Sequence, residues 1–407
     1  MVSNHKIREW SSSVTAVLCM AAFIVSATGT AKAEPVPETI PEANKAFKVS
    51  AEWAAGKLEN YGPAKVSYSG QPIVVRMSIH TPDVSGLTKY NRAAAKILER
   101  MSDGKIKVDV KSGGVVHSVS EGFTANRSGI TDMSPCFVFL NATNFPLTQA
   151  LSLPGLFPDA AVLSLVAEKL YPKYFRAEFE RQGVYALGFV GSVRFRLFSK
   201  VPIRTLEELK GKKVRSGGGI NQQIFQALGA ATVNMSSRDF QQGLQRGLLD
   251  AIYTSDAAGL IFKLDQAATD HTDVNINHVE LDWCMNRRAF DKLPHDLKVV
   301  VNNWARANSQ AQSQQVFLKL AVVARNKFKK QGMKFHSLTD AEAKRWAEAY
   351  ENVTQDYLKQ TEAKGLPSRE LVADIKALVE QYKGKTFNEL MLETINHPDQ
   401  SFSRGVQ

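Results

Sequence analysis

One pattern constrains this chain before any other: short apolar strand-like runs alternate with amphipathic helical stretches, and the alternation starts twice. Residues 73–79 are β-branched and strand-like, 86–101 carry a helical apolar stripe, and 105–110 alternate with period two. A short helix over 120–128 is closed by Gly129, a buried strand follows over 133–140, two helices lie between 160 and 182, and 184–189 is again strand. Strands that alternate with helices predict an α/β fold with a mostly parallel sheet.

The second series begins at 194–199. Thr205 and Glu208 have capping-box spacing, in which the hydroxyl takes the N3 amide and the carboxylate reaches back. A short strand over 212–215 runs into Gly217–Gly219, which opens a helix ending at Gly229; strand, helix and strand follow over 232–235, 236–247 and 250–254. Strand character returns between 273 and 285. Residues 294–330 then hold no internal Pro or Gly after Pro294, which predicts one long or slightly broken helix. Thr339 and Glu342 repeat the capping-box spacing, and helices are expected over 339–364, 368–382 and 388–394. Two α/β series in 407 residues predict two lobes.

The amino terminus predicts export. Lys6 and Arg8 precede an apolar run over 14–27, and Ala31-Lys32-Ala33 supplies a small-x-small cleavage pattern, which puts the cut before Glu34. The run is shorter than the ~20 residues a membrane-spanning helix needs. Residues 34–71, with Pro35, Pro37, Pro41 and Gly62-Pro63, read as an extension ahead of the main fold. Export permits a disulfide between Cys136 and Cys284. Both stand in apolar strand-like stretches, however, where a buried free thiol is the plainer expectation.

The chemistry-bearing residues exclude more than they offer. The eight histidines are scattered, without the i, i+4 spacing of a helical zinc pair, and there is no cysteine cluster, G-x-S-x-G elbow or phosphate-binding loop. No metal, cofactor or catalytic residue is expected. A secreted enzyme would need a nucleophile with its base, or a metal. The formal net charge of +11 is compatible with anionic partners. No basic stripe with interleaved aromatics appears, so nucleic acid is not expected. Arg215 ends a strand directly before three glycines that open a helix. A guanidinium matches a carboxylate bidentately, and open α/β sheets bind ligands beyond the carboxyl ends of their strands. The alternatives at this position are an arginine paired with a surface glutamate and a plain strand-to-helix turn.

The run SKVPIRTLEELKGKKVRSGGG (199–219), then ALGAATVNM (227–235), then LQRGLLDA (244–251), resembles the TRAP-type (tripartite ATP-independent periplasmic) solute-binding protein family of the C4-dicarboxylate-binding type. GKIKVDV, RSGITDM and LSLPGLF upstream and RRAFDKLPHDLKVVV downstream fit the same order, so the resemblance spans roughly 72–385. It implies a two-lobed periplasmic-binding-protein fold with crossing strands and a long lobe-spanning helix. Lobe I would comprise 72–193 and 277–305, lobe II 194–276 and 306–385, with 1–33 the signal peptide and 386–407 a C-terminal tail. It also implies a non-enzymatic receptor that closes on a small organic anion and delivers it to the membrane subunits of a TRAP-type transporter. A co-receptor for a membrane sensor is the alternative.

The resemblance assigns the carboxylate clamp to Arg215. Three departures alter the rest of the pocket. Phe195 stands where a second arginine is often found, flanked by Arg194 and Arg196, either of which could substitute, although strand alternation points both away from the Phe195 side. Ser237 replaces an aromatic, and Ile252-Tyr253-Thr254 replace a polar triplet. Ser237 and Thr254 therefore inherit pocket positions with changed chemistry, which argues against a simple C4-dicarboxylate. His80 and Phe137, at strand carboxyl ends of the other lobe, and Trp283, in the return crossing, complete the expected binding residues.

Overall fold

The computed structural model describes residues 37–58 and 65–397; the expected signal segment lies outside the described residues. The chain first forms β1 (Ile73–Ser78), β2 (Ile106–Lys111), β3 (Met133–Pro135) and β4 (Val184–Gly191). It continues with β5 (Arg196–Ser199), β6 (Lys213–Arg215), β7 (Ala231–Thr232), β8 (Ala251–Thr254) and β9 (Asp270–Asp273), then β10 (Glu280–Asn286) and β11 (Lys334–Ser337). These strands make two sheets, ordered β2-β1-β3-β10-β4 and β11-β9-β5-β8-β6-β7. The fold is thus α/β and two-lobed, as the double alternation predicts.

Each sheet has one strand that opposes its neighbours. β10 runs antiparallel to β3 and β4, and β5 runs antiparallel to β8 and β9. These two strands are the ones that arrive from the other sheet, because β4 leads directly into β5 and β9 into β10. The other strands of both sheets point their carboxyl ends at the space between the sheets. A strand that has just crossed this space must run away from it.

A third connection is helical. The helix His295–Gln312 packs on β4, widens into a π-helical turn over Ser313–Leu318, and continues as Lys319–Lys330 against the helix Asp256–Ile261. The absence of Pro and Gly lets the helix run on, and the π turn marks its one irregularity.

Several local expectations are corrected. The strand predicted over 133–140 stops at Pro135. Phe137 takes a left-handed backbone (φ 46°), and Val138–Leu140 form a 3₁₀ turn. The cause is tertiary: the Val138 amide donates to the buried Asp282 carboxylate on β10 at 2.7 Å. Cys136 and Cys284 are disulfide-bonded, with Cα atoms 5.8 Å apart, rather than free thiols. Neighbouring positions on the antiparallel β3 and β10 bring them together. Neither predicted capping box closes. The Thr205 and Thr339 hydroxyls accept the amides of Glu208 and Glu342, but the Glu208 carboxylate takes the Arg204 amide and Glu342 takes that of Leu206.

The described part of the amino-terminal extension is docked rather than free. Its helices Ile40–Ala46 and Lys48–Ala54 bury Phe47 and Trp53. Phe47 meets Phe387 edge-on, with ring centroids 4.9 Å apart, and the Val49 amide donates to Asn388. The helix Phe387–Asn396, within the expected tail, is in turn packed on His295–Gln312. No described helix is long and apolar enough to cross a membrane.

Candidate functional site

The strand ends of both sheets meet around a cavity of about 80 Å³. From the first sheet come His80 and Thr81, just beyond β1, Phe137 and Phe139 beyond β3, and Leu281 on β10. From the second come Phe195 before β5, Arg215 at the end of β6, Ser237, Phe240 and Thr254 at the end of β8. The long helix adds Phe317 from its π turn.

Arg215 is the charged group of this cavity. Its side chain is buried, and the guanidinium lies over the Phe240 ring, 4.7 Å from the centroid. Its Nε has no hydrogen-bond partner, and no carboxylate among the described residues pairs with it. Burial lowers its pKa to about 10, which leaves it a cation at neutral pH. A desolvated guanidinium without a counter-charge is costly unless an anion arrives to complete it.

The glycines after Arg215 work by close approach. Gly217 and Gly219 have φ of 86° and 57°. A Cβ on Gly219 would lie 2.8 Å from the Phe139 carbonyl oxygen and 2.1 Å from Gln149 Oε1. Only glycine lets the turn after β6 seat against the 3₁₀ turn that carries Phe139. These glycines thus hold the turn after β6 against the Phe139 turn, while Arg215 supplies the cavity's charge.

His80 stands opposite as a neutral imidazole. Burial, reinforced by His117 and Arg238, holds its pKa down to about 3. Its ring meets Phe137 edge-on, with centroids 5.4 Å apart, and its Nδ1 has no partner. Thr81 and Ser255 also face the cavity; the Thr81 hydroxyl is engaged, and the Ser255 oxygen accepts a helix amide. Thr81 Oγ1 is 2.8 Å from Thr88 Oγ1, and Ser255 caps the helix Asp256–Ile261.

Of the expected binding residues, the structure brings together Arg215, Ser237, Thr254, His80 and Phe137. It takes Arg194, Arg196 and Trp283 elsewhere. Phe195 faces the cavity, so strand alternation turns its neighbours away. Arg196 instead pairs with Asp273 at 3.2 Å, within a partly buried network in which Arg325 reaches Asp256 and His271 donates from Nε2 to the same carboxylate. Burial of Asp256 favours its neutral form, but its contact with His271 and the Arg325 and Arg196 charges prevail and hold its pKa down to about 2. Arg194 lies beside Arg196, with burial lowering its pKa. Trp283 is buried within the first sheet, opposite Pro135 and Gly188. The residues missed by sequence reasoning are mainly phenylalanines 139, 240, 262 and 317. Among the described residues, Cys136, Asp282 and Cys284 are the one grouping of metal-ligating types, and the disulfide takes both sulfurs.

Comparison with known proteins gives a consistent picture. A family model described as "Bacterial extracellular solute-binding protein, family 7" matches residues 78–361. Among curated proteins, the chain is 28% identical over 283 residues to the outer membrane transporter protein TsaT of Comamonas testosteroni, covering 68% of this chain and 82% of that one. It is 22% identical over 270 residues to a solute-binding protein of Albidiferax ferrireducens, covering 65% and 80%. Among solved structures, a marine-metagenome TRAP solute-binding protein specific for aromatic acids, with 3-hydroxybenzoate, superposes with a TM-score of 0.71 at 20% identity, over 77% of this chain and 99% of that one. A Rhodoferax ferrireducens TRAP solute-binding protein with copurified benzoate gives 0.71 at 16%, over 76% and 98%. A Bordetella bronchiseptica relative with bound mandelate gives 0.69 at 21%, over 76% and 99%. At these identities the structural likeness speaks for the fold.

Proposed function

Because the chain belongs to bacterial extracellular solute-binding protein family 7, a family of receptors rather than enzymes, we propose that it captures a small organic anion in the cavity between its sheets. Arg215 is the clamp. The observation that carries this reading is a buried guanidinium at a strand end that has no carboxylate partner among the described residues. A carboxylate head group suits its donor fork, and the solutes held by the three solved structures named above are all carboxylates. Ser237 and Thr254 are the neighbouring hydroxyl donors, and His80 a neutral one across the cavity. Lobe I is taken as 72–193 with 277–305 and lobe II as 194–276 with 306–385. Removal of the segment before Glu34 would release the mature receptor into the periplasm, where it delivers its solute to the membrane subunits of a TRAP-type transporter.

The test is a thermal-shift screen of the mature protein against mono- and dicarboxylates, sulfonates and sugar acids. A solute that binds only the folded state stabilises it by roughly 2.7 kcal/mol at a hundredfold excess over its Kd. A shift with an anion that disappears in Arg215→Ala supports the clamp. A shift confined to neutral or cationic solutes would overturn it.

A further inference from the structure

The lining of the cavity restricts the solute more sharply than its charge alone. This step rests on the reading that the cavity holds the solute. Arg215 is the one charged side chain on the lining, since the other titratable group, His80, is neutral. Six phenylalanines (Phe137, Phe139, Phe195, Phe240, Phe262 and Phe317) are the commonest residue type on the remaining wall, with aliphatic side chains between them. They come from both sheets and from the long helix, so they surround the cavity rather than cover one side. Several already meet as aromatic pairs: Phe137 with Phe139 at 6.1 Å between centroids, and Phe240 with Phe262 edge-on at 5.7 Å.

We propose that the solute is an aryl monocarboxylate, with its carboxylate on Arg215 and its ring enclosed by these phenylalanines. The argument proceeds by exclusion. A second ionised group on the solute would be desolvated among phenylalanines with no counter-charge on the lining. A sugar acid carries several hydroxyls, each needing a partner. Of the polar side chains present, Thr81 is already engaged and Ser255 is engaged only as an acceptor, which leaves Ser237, Thr254, His80 and the Ser255 O–H. Those four can complete one carboxylate and one or two further polar contacts, fewer than the hydroxyls of a sugar acid require. An aliphatic acid would fit by charge but forgo the edge-to-face contacts that ring pairs add beyond simple burial.

The experiment is calorimetric titration of the mature protein, freed of copurified small molecules, with benzoate, cyclohexanecarboxylate, succinate and glucuronate. Benzoate is expected to bind at least tenfold more tightly than cyclohexanecarboxylate and at least a hundredfold more tightly than succinate or glucuronate. In Phe262→Leu, at a half-buried position, the preference for benzoate over cyclohexanecarboxylate should shrink several-fold. Succinate or glucuronate binding as tightly as benzoate would overturn the aryl class. So would cyclohexanecarboxylate matching benzoate, or benzoate failing to bind. If succinate binds and is lost in Arg215→Ala, the aryl class falls while the anion clamp stands. If Arg215→Ala leaves all binding unchanged, the clamp itself falls.

Discussion

Arg238 donates from Nη2 to the carbonyl oxygen of Gly114 at 2.7 Å, joining the turn that follows β2 in the first sheet to the segment that follows β7 in the second. Arg238 adjoins the cavity residue Ser237, and the Gly114 turn lies against the His80 carbonyl, so this bond joins the two sides beside the cavity. Gly114 has φ of 68°, and a Cβ there would lie 1.8 Å from the Arg238 guanidinium. The latch therefore needs both residues. Arg238→Ala is expected to weaken solute binding about fivefold, since an exposed charge-assisted hydrogen bond contributes about 1 kcal/mol. The loss should appear in the dissociation rate, measured by stopped-flow, with the melting temperature of the free protein little changed. An unchanged dissociation rate would remove the latch role.

Arg215→Ala should lower affinity at least a hundredfold, equivalent to about 3 kcal/mol. Because Arg215 has no carboxylate partner among the described residues, its truncation strands no buried acid there. The melting temperature without solute should therefore stay within a few degrees of the wild type or rise. Arg215→Lys should keep the charge but lose the planar fork, with an intermediate affinity. A lysine variant that binds like the wild type would show that charge alone suffices.

The Cys136–Cys284 bond closes a sequence separation of 148 residues. In the chain-entropy treatment such a loop stabilises the fold by up to about 5 kcal/mol. Cys136 also directly precedes Phe137, which lines the cavity. Reduction, or Cys136→Ser with Cys284→Ser, should lower the melting temperature by about 5 °C, and mass spectrometry of the purified periplasmic protein should find no free thiol. Two free thiols in that protein would contradict the bond.

Glu280 and Asp282 stand two residues apart on β10, and both are buried. Burial pushes both carboxyls up, and for Glu280 the charge of Asp282 adds to the effect. Above the unfolded carboxylate value of ~4, the unfolded chain has lost protons that the folded one retains. The folded state then binds more protons, so this pair makes stability fall as pH rises. Glu280→Gln is neutral throughout. Relative to the wild type, its melting temperature should improve progressively from pH 4 to pH 7. Parallel profiles for the two proteins would mean that Glu280 does not keep its proton in the fold.

The expected site was legible where one element carries the signal. Arg215 could be found because a strand end, a glycine turn and a helix start are contiguous in the chain, and Ser237 and Thr254 because they hold fixed offsets from recognisable words. Arg194 and Arg196 could be doubted on alternation alone, and the structure sends Arg196 to Asp273. Trp283 could not be told from a core tryptophan. The same ambiguity hid Phe240 and Phe262, which sit on or beside short helices whose apolar faces look alike whether they meet a core or a cavity.

What the sequence determined by itself is local: the double strand–helix alternation, the uninterrupted run of the long helix, and the turn of glycines behind Arg215. Side-chain direction within an element follows from periods of 2.0 and 3.6 residues, and these are written in consecutive positions. Tertiary structure alone decided that Cys136 bonds Cys284, that Asp282 captures the Val138 amide and ends the third strand early, and that six phenylalanines converge around one arginine. These outcomes depend on which faces meet across sheets that the chain enters twice. That is settled by long-range packing and by the need to satisfy buried polar groups, for which no short stretch of sequence carries a period.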